Sequence, residues 1–442
     1  MLDVKGKRAV VVGLGTSGIA ACRLLASRGA RVVGTDAKSA DAVSADVRAL
    51  EGEGIALALG GHLAARLSVA DLVVVSPGVP SFPELSAAEQ NGVRIWGEVE
   101  LAVRALAKPC PIVAIGGTNG KSTTTTLVGE LLSRAGKCTF VGGNLGEPLA
   151  AHADEAFDAI VLEVSSFQME RVETFRPNVS VLLNVSPDHL DRYPSEAAYA
   201  DAKGNTFARQ TADDLAVVPF GDDVCLRQAK RGQARVVTFG EGGDVSVRPD
   251  AIVDGSIAYA RDKIALQGGH NALNVAAALC AVRPFALAPE LVADVLASFR
   301  GLPHRMAFVR ERGGVRFYDD SKGTNVGASV TAVRGIREAK VVLIAGGRDK
   351  GGSYGPLADA LRERGRAAVL IGEARHLIRD AVGGIVPVEL ATSMKDAVTI
   401  AAGLARPGDA VLLSPACSSF DMFRDYKDRG DAFVRAVGEL SS

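Results

Sequence analysis

The chain has 442 residues, which is enough for about three domains at roughly 150 residues each. Hydrophobic residues make up 48% of it and charged residues 23%, the balance of a globular protein and not of a disordered one. Lysine and arginine number 50 against 51 aspartate and glutamate, so the net charge is −1 and a nucleic-acid partner is not expected.

The six cysteines are scattered without paired spacing, which is typical of reduced thiols in a cytoplasmic protein. The apolar run that starts at Ala9 is interrupted by three glycines and then by Arg23, which argues against a secretory signal. No uncharged apolar stretch reaches the roughly 18 residues that a membrane span needs. We therefore expect a cytoplasmic protein with no membrane partner.

Apolar strand-like runs alternate with helix-like stretches along the whole chain, the pattern of α/β domains with parallel sheets. Three sets of runs begin near Ala9, Ile112 and Val341, and proline-containing breaks separate the sets near residues 98 and 302. The sequence thus predicts an N-terminal Rossmann-like domain, a central P-loop ATPase-like domain with a mainly parallel sheet, and a C-terminal Rossmann-like domain. Their predicted bounds are 1–98, 99–302 and 303–442.

A glycine fingerprint follows the first predicted strand, where residues 13–18 read Gly-Leu-Gly-Thr-Ser-Gly. Such a turn lets a diphosphate approach the backbone at a helix N-terminus, and Asp36 follows at the spacing of a ribose-binding carboxylate. Three interpretations stay open at this point. The loop could bind a nicotinamide dinucleotide, it could hold a UDP-linked substrate, or its glycines could serve packing alone.

A second glycine-rich loop follows the apolar run 112–115, where residues 116–122 read Gly-Gly-Thr-Asn-Gly-Lys-Ser before a predicted helix. Backbone amides of such a loop surround β- and γ-phosphates, the lysine neutralises them, and the hydroxyl binds Mg²⁺. The loop is one residue shorter than the usual pattern, because Ile115 stands where the first glycine is expected. The candidate nucleotide-binding residues are Gly116, Gly117, Thr118, Asn119, Gly120, Lys121 and Ser122.

Polar residues that end two later apolar runs are candidates for a metal site on the same edge of the sheet. Glu163 ends the run 159–162, and Asn184 and the pair Asp188 and His189 follow the next one. The carboxyl ends of parallel strands face the ligand crevice, where oxygen ligands suit Mg²⁺. Taken without the loop, Glu163 would be interpreted as a solvated charge at a strand end.

Four segments of the sequence together resemble the Mur ligases, a family of ATP-dependent amino-acid ligases. They are the shortened phosphate loop, residues 162–168 (LEVSSFQ), residues 188–193 (DHLDRY) and residues 269–271 (GHN). Residues 319–325 (DDSKGTN) and 414–421 (SPACSSFD) are similar to the D-glutamate-adding branch of that family. The resemblance covers all three predicted domains.

The resemblance implies a ligase that adds D-glutamate to UDP-N-acetylmuramoyl-L-alanine through an acyl phosphate, in peptidoglycan precursor synthesis. It implies ATP and Mg²⁺ as cofactors and small molecules as the only partners of a monomer. The catalytic residues that it implies are Lys121, Glu163, His189 and Lys203. The metal ligands that it implies are Ser122, Glu163, His189 and Lys203, the last as a carbamate that supplies acceptor oxygens.

The remaining implied contacts divide by ligand. Nucleotide contacts are assigned to His270, Asn271, Arg305 and Asp320. Contacts to the UDP-linked substrate are assigned to Thr16, Ser17, Asp36, Lys38, Asn144 and His189. Contacts to D-glutamate are assigned to Lys322, Thr324, Lys350, Ser419, Phe420 and Tyr426. Two positions depart from the family pattern: Gly204, where a bulkier residue is usual, and Arg348, where relatives often carry an acidic residue.

Three rival functions remain to be weighed against this ligase. A dehydrogenase would use the first glycine loop but would leave the phosphate loop and the third domain without a task. A P-loop switch or motor protein would leave the first domain unexplained. Other branches of the same family, which add diaminopimelate or extend folates, carry different signatures in the third domain.

Overall fold

The computed structural model describes residues 2–189, 192–266, 268–351 and 353–440, and these form two compact units. The first unit comprises the chain up to Val185 together with Ala197–Ala265 and Leu273–Phe299. The second comprises Ser186–Glu196, Leu266–Ala272 and the chain from Arg300 onward. The first unit holds two sheets and the second holds one. The predicted boundaries at residues 98 and 302 stay a prediction.

The first sheet has five parallel strands in the order β3-β2-β1-β4-β5. Its strands are β1 (Arg8–Val12), β2 (Arg31–Asp36), β3 (Ala56–Leu59), β4 (Leu72–Val75) and β5 (Arg94–Gly97). Its helices are α1 (Thr16–Ser27), α2 (Ala45–Gly52), α3 (Pro83–Gln90) and α4 (Glu98–Ala105). The central valine-rich strands are buried because helices cover both faces, as continuous apolar runs require.

The second sheet has, within the described residues, nine strands in the order β14-β13-β12-β11-β10-β9-β6-β8-β7. The strands are β6 (Ile112–Gly116), β7 (Thr139–Gly143), β8 (Ala159–Glu163), β9 (Val179–Leu182), β10 (Leu215–Pro219), β11 (Arg235–Gly240), β12 (Val245–Val247), β13 (Ala251–Asp254) and β14 (Ile257–Ala260). The helices are α5 (Lys121–Arg134), α6 (Ser166–Met169), α7 (Glu196–Gly204), α8 (Asp223–Ala229), α9 (Gly269–Val282) and α10 (Pro289–Ser298). Where the structure describes this sheet, its antiparallel pairs join β12, β13 and β14 at one edge.

The third sheet has six strands in the order β15-β16-β20-β17-β18-β19. The strands are β15 (Ala307–Arg312), β16 (Val315–Asp319), β17 (Val341–Gly346), β18 (Gly365–Ile371), β19 (Val388–Leu390) and β20 (Ala410–Leu413). The helices are α11 (Val326–Gly335), α12 (Gly355–Arg364), α13 (Arg375–Val382), α14 (Met394–Leu404) and α15 (Tyr426–Gly438). Among the described residues of this sheet only β15 pairs antiparallel, so the predicted α/β class with mainly parallel sheets is confirmed.

No helix within the described ranges combines the length and the apolar character that a bilayer span requires.

Helix α4 connects the first sheet to the second through a buried carboxylate. Glu100 accepts hydrogen bonds from the backbone amides of Glu173, Thr174 and Phe175 and from the Arg104 side chain. Burial alone would raise the pKa of Glu100, but the Thr174, Glu173 and Arg104 hydrogen bonds lower it below its usual value. The ionised carboxylate therefore holds the 173–175 segment against α4.

A second buried carboxyl group, on Glu98, makes the stability of the fold depend on pH. Its Oε1 accepts from the Ala150 amide at 2.7 Å, while its buried Oε2 has no hydrogen-bond partner among the described residues. Burial raises the pKa of Glu98 from 4.5 to about 7. Between these values the unfolded chain has released the proton and the folded chain has kept it, so stability falls as pH rises and levels off above about 7.

We expect Glu98→Gln to remove this decline, because glutamine keeps the carbonyl acceptor and cannot ionise. The shift corresponds to about 3 kcal/mol in the free energy of unfolding. Denaturant unfolding at pH 5 and at pH 8 measures it, with Glu51→Gln on the exposed face of α2 as the control. The variant should gain stability relative to the wild type at the higher pH only. Parallel pH curves for the two proteins would contradict the assignment.

Candidate functional site

The predicted phosphate loop lies between β6 and α5, in a conformation that requires glycine. Gly117 and Gly120 adopt φ values of +140° and +88°. A Cβ at Gly117 would lie 3.0 Å from the Leu183 Cβ, and one at Gly120 would lie 2.3 Å from the Asn274 Oδ1. The turn leaves the first amides of α5 at its N-terminus, where they can bind an anion. Asn274, in α9, packs against this turn.

Asn184 fixes the loop from the next strand of the sheet. Its backbone carbonyl accepts from the Thr118 amide, its Oδ1 accepts from the Asn119 amide at 2.9 Å, and its Nδ2 donates to the Asn119 carbonyl at 3.0 Å. Sequence reasoning placed Asn184 at this edge but missed that it holds the loop. The only available signal was its position at the end of an apolar run.

The Lys121 side chain folds back over the loop that precedes it. Its Nζ donates to the carbonyls of Gly117 at 2.9 Å and Thr118 at 2.8 Å. The next residue, Ser122, is buried at the start of α5. The structure thus brings the predicted cation and hydroxyl to the loop where phosphates are expected.

Glu163 lies beside the loop because β8 pairs with β6 in parallel, with Glu163 opposite Ile115. The side chain is only 2% exposed. Its Oε1 accepts from the Asn144 Nδ2 at 2.6 Å, and its buried Oε2 has no hydrogen-bond partner among the described residues. A buried carboxylate oxygen without a partner suits a divalent cation, so Glu163 fits Mg²⁺, and the Ser122 hydroxyl at the start of α5 is a second oxygen of the kind that Mg²⁺ binds.

Three or more His, Cys, Asp or Glu side chains do not cluster as a metal site anywhere in the described ranges. A cation at Glu163 would therefore need hydroxyl, phosphate or water oxygens as further ligands, which is the usual situation for Mg²⁺ bound to a nucleotide.

Lys203 lies near the C-terminus of α7, with 5% of its surface exposed. Its Nζ donates to the Gly117 carbonyl at 2.9 Å and lies 4.3 Å from the centre of the Tyr199 ring. The Tyr199 hydroxyl is in turn 3.4 Å from the Thr118 Oγ1. The unmodified ammonium group thus contacts the phosphate loop, and its role as a carbamylated metal ligand stays a prediction.

The departure at Gly204 is matched by side chains from the neighbourhood of α8. A Cβ at Gly204 would lie 2.0 Å from the Gln228 Oε1 and 2.6 Å from the Arg231 Nη1. Gln228 is buried and donates to the Asp201 Oδ1, while Arg231 donates to the Asp201 carbonyl and to Asn205. The volume that a larger residue would fill is thus occupied, and the end of α7 is held by these bonds.

The segment that carries His189 belongs to the second unit. His189 has a φ of +55°, and its amide donates to the Asp188 Oδ1. The Asp188 Oδ2 accepts from the Asn325 Nδ2 at 3.0 Å, and its Oδ1 lies 3.9 Å from the Lys350 Nζ. Within this unit the structure therefore brings the 188–189 turn to two loops of the third sheet. Residues 190 and 191 of the DHLDRY motif lie outside the described residues.

Two predicted nucleotide contacts of the second unit, His270 and Asp320, each lie within electrostatic range of a third, Arg305. Burial lowers the pKa of His270 to about 4, and the positive charge of Arg305 adds to this. Burial raises the pKa of Asp320 to about 7, against the lowering effects of the Ser414 hydrogen bond and of Arg305. Asp320 is 5% exposed, with its Oδ2 accepting from the Ser414 Oγ at 2.7 Å. Asn271 lies beside His270 in the first turn of α9.

The residues predicted to contact D-glutamate lie on loops that follow three adjacent strands, β16, β20 and β17. The chain order reverses between β17 and β20, and such a switch point is where open α/β sheets bind ligands. Arg348 and Ser418 form a backbone bridge between two of the loops. Lys322 and Thr324 follow β16, Lys350 follows β17, and Ser419, Phe420 and Tyr426 follow β20.

The exposure of these side chains differs. Ser419 is buried, Phe420 is 64% exposed, and the Lys322 Nζ lies 4.9 Å from the centre of the Tyr426 ring. The Arg348 guanidinium, a departure from the family pattern, lies 3.4 Å from a Glu373 carboxylate oxygen after β18. Arg348 therefore has a counter-charge of its own on the neighbouring loop.

In the first sheet, Asp36 fixes the glycine loop to the end of β2. Its Oδ2 accepts from the Leu14 amide at 2.8 Å and its Oδ1 from the Lys38 amide at 3.0 Å. Thr16 and Ser17 form the first turn of α1. The arrangement leaves the N-terminus of α1 at the glycine loop, a geometry that can bind an anion, and the diphosphate contact stays a prediction.

Two glycines of this loop have different surroundings. Substitutions at the two positions therefore distinguish a role in packing from a role in ligand binding. A Cβ at Gly18 would lie 1.9 Å from the Gly13 carbonyl oxygen, whereas one at Gly15 would meet no protein atom within 4 Å. We expect Gly18→Ala to destabilise the fold and Gly15→Ala to leave the free energy of unfolding within about 0.5 kcal/mol. Gly15→Ala should nevertheless weaken binding of a UDP-linked substrate at least about tenfold, the effect of about 1.4 kcal/mol. Titration calorimetry and thermal melts check both, and equal affinity in the Gly15 variant would leave only the packing interpretation.

The sheet order and the phosphate loop define a nucleotide-binding α/β protein with a P-loop. Three domain models match the chain: the Mur ligase MurD-like N-terminal domain over residues 7–97, the Mur ligase middle domain over 115–282, and the Mur ligase, glutamate ligase domain over 304–417. The UDP-N-acetylmuramoylalanine--D-glutamate ligase of Geotalea daltonii is 44% identical over 452 residues, which cover 100% of this chain and 99% of that protein.

Two solved structures share the fold at lower identity. The UDP-N-acetylmuramate-alanine ligase MurC of Thermotoga maritima has a TM-score of 0.62 and 20% identity, covering 98% of this chain and 100% of that one. The MurF ligase of Thermotoga maritima in complex with ADP has a TM-score of 0.62 and 18% identity, covering 99% and 97%. The chain belongs to the Mur ligase family.

Proposed function

We propose that this protein joins D-glutamate to UDP-N-acetylmuramoyl-L-alanine with ATP, in the synthesis of peptidoglycan precursors. The observation that carries the proposal is the 44% identity, over the full length of both chains, with a ligase of that name. The phosphate loop after β6 supports the use of ATP, and the predicted D-glutamate contacts on loops after adjacent strands of the third sheet support an amino-acid substrate.

The reaction proceeds in two displacements. A carboxylate oxygen of the UDP-linked substrate attacks the γ-phosphorus of ATP, ADP leaves, and an acyl phosphate forms. The D-glutamate nitrogen then attacks the acyl carbon, phosphate leaves, the nitrogen loses a proton, and an amide remains. Both the attacking carboxylate and ATP are anionic, so Lys121 and the amides of residues 117–122 act by holding and neutralising the phosphates.

Magnesium is part of this proposal. Glu163 and Ser122 would hold one ion, and His189 with a carbamylated Lys203 would hold a second. Bound there, Mg²⁺ would supply charge neutralisation at the phosphates. Carbamylation would convert the Lys203 ammonium, which donates to the Gly117 carbonyl, into an anion with acceptor oxygens.

The other residue assignments follow from the ligand charges. Thr16 and Ser17 would contact the diphosphate, Asp36 and Lys38 the uracil end, and Asn144 and His189 the substrate near the reacting carboxylate. His270, Asn271, Arg305 and Asp320 would contact the nucleotide. D-Glutamate carries two carboxylates, which would be held by Lys322, Thr324, Lys350 and Ser419, with Phe420 and Tyr426 beside them. We further infer a cytoplasmic monomer.

A phosphate-release assay tests the proposal. Release should require ATP, UDP-N-acetylmuramoyl-L-alanine and D-glutamate together, and the product should gain the mass of one glutamyl residue. L-Lysine, diaminopimelate and folates replace D-glutamate in parallel reactions. Release with any of these in its place would assign the protein to another branch of the family, and release without an amino acid would favour a P-loop switch protein.

A further inference from the structure

A fully buried arginine lies behind the loops proposed to hold D-glutamate. Arg429, in the second turn of α15, is 1% exposed. Its Nε donates to the Ser321 Oγ at 3.0 Å, its Nη2 to the Ser321 carbonyl at 2.8 Å, and its Nη1 to the Cys417 carbonyl at 3.1 Å. Each of these acceptors is a neutral oxygen and not a carboxylate.

Burying such an arginine is expected to add little to the stability of the fold. Moving a guanidinium out of water is costly, and neutral acceptors return less than a paired carboxylate does. Burial accordingly lowers the pKa of Arg429 to about 10, although the group stays charged at neutral pH. The charges of Asp421, Asp319 and Asp320 act against this lowering, while the three hydrogen bonds to neutral oxygens fix the orientation of the guanidinium.

The three acceptors belong to two separate loops, and a third loop approaches the same guanidinium. Ser321 directly precedes Lys322 after β16, and Cys417 stands two residues before Ser419 after β20. A Cβ at Gly347, after β17, would lie 3.2 Å from the Arg429 Nη1. Arg429 thus lies where the loops after three adjacent strands meet.

The same helix also holds the Lys322 loop from a second side. The Ser321 Oγ donates to the Tyr426 carbonyl at 2.7 Å, and the Lys322 amide donates to the His304 carbonyl at 3.0 Å. His304 packs against Gly430, where a Cβ would lie 2.2 Å from its Nδ1. The N-terminal part of α15 therefore holds the Lys322 loop, directly through Tyr426 and indirectly through His304.

We propose that Arg429 is a positioning residue for the binding of D-glutamate. It would fix the loop of Lys322 relative to the loop of Ser419. The inference rests on the function proposed above. D-Glutamate has two carboxylates at a set separation, so cations and hydroxyls on different loops must keep a matching separation. The planar, rigid fork of arginine can bind both loops at once, whereas the single ammonium of lysine cannot reproduce that geometry.

The test compares the wild type with Arg429→Lys, which keeps the charge and loses the fork. Arg435→Lys, on the exposed side of the same helix, is the matched control. The KM values for D-glutamate and for ATP, kcat and the melting temperature are measured in the phosphate-release assay and by thermal melts. We expect the KM for D-glutamate to rise about tenfold or more in Arg429→Lys, with the KM for ATP within about twofold and the control unchanged.

An unchanged KM for D-glutamate, with or without a lower melting temperature, overturns the positioning role and leaves the proposed function intact. If Arg429→Lys does not fold, Ser321→Ala replaces it, because this change removes one acceptor and keeps the carbonyl. A KM for D-glutamate raised about threefold in that variant supports the inference, and an unchanged one overturns it. A wild type that releases no phosphate with D-glutamate overturns the proposed function itself, and the inference with it.

Discussion

Lys121→Ala is expected to abolish turnover, lowering kcat by about 10³-fold or more, as the loss of a preorganised charge at a reacting group does. The Lys121 Nζ is already held over the phosphate loop by the carbonyls of Gly117 and Thr118 at 2.9 and 2.8 Å. Without Lys121, the positive charge that the proposed function places beside the ATP phosphates is lost, and the two carbonyls lose their hydrogen-bond donor. Phosphate release measures the turnover, and calorimetric titration with ADP measures the nucleotide affinity.

The matched control is Lys230→Ala, which removes an exposed lysine just after α8. Its turnover and nucleotide affinity should equal those of the wild type. Thermal melts of Lys121→Ala and of the control separate a loss of turnover from a loss of folded protein. Near-normal turnover in Lys121→Ala would mean that residues 116–122 are not the ATP site.

The sequence allowed the phosphate loop and its neighbour Glu163 to be predicted because both depend on local chain features. A strand, a glycine turn and a helix follow one another at residues 112–134, and a buried strand ends at Glu163. Parallel-sheet geometry then places both at one edge, as the register of Ile115 opposite Glu163 shows.

Contacts between residues far apart in the chain could not be predicted in this way. Asn184 bonds Asn119 across 65 positions, Lys203 bonds Gly117 across 86, and Arg429 bonds Ser321 across 108. A single lysine or arginine in a sequence is normally solvated, and nothing local distinguishes a buried one. The family resemblance drew attention to Lys203, whereas Asn184 and Arg429 gained a role only from the fold.

The two departures from the family pattern show the same limit. Gly204 is explained by Gln228 and Arg231, which fill the space beside it, and Arg348 by its pairing with Glu373. Each explanation needs a partner whose proximity depends on how helices and strands pack. Composition and spacing carry no information about such compensation.

Lys203→Ala is expected to lower kcat at least about 10²-fold, because a buried charge beside the phosphates is lost. Two roles predict this loss and differ in the sign of the charge that matters. As an ammonium, Lys203 holds the Gly117 carbonyl at 2.9 Å and lies over the Tyr199 ring. As a carbamate, it would supply anionic oxygens to a cation. Lys203→Arg separates them, since arginine stays positive and forms no stable carbamate.

Chemical rescue completes the comparison. If the carbamate is the active form, acetate or another short-chain carboxylate should restore part of the activity of Lys203→Ala, because it can occupy the place of the lost anion, and Lys203→Arg should stay inactive. Lys121→Ala in the same acetate buffer should gain nothing, which controls for nonspecific effects. Activity retained by Lys203→Arg, together with no rescue of Lys203→Ala, would assign Lys203 to holding the loop as an ammonium. Labelling with ¹³C-bicarbonate would then show no carbamate signal in the wild type.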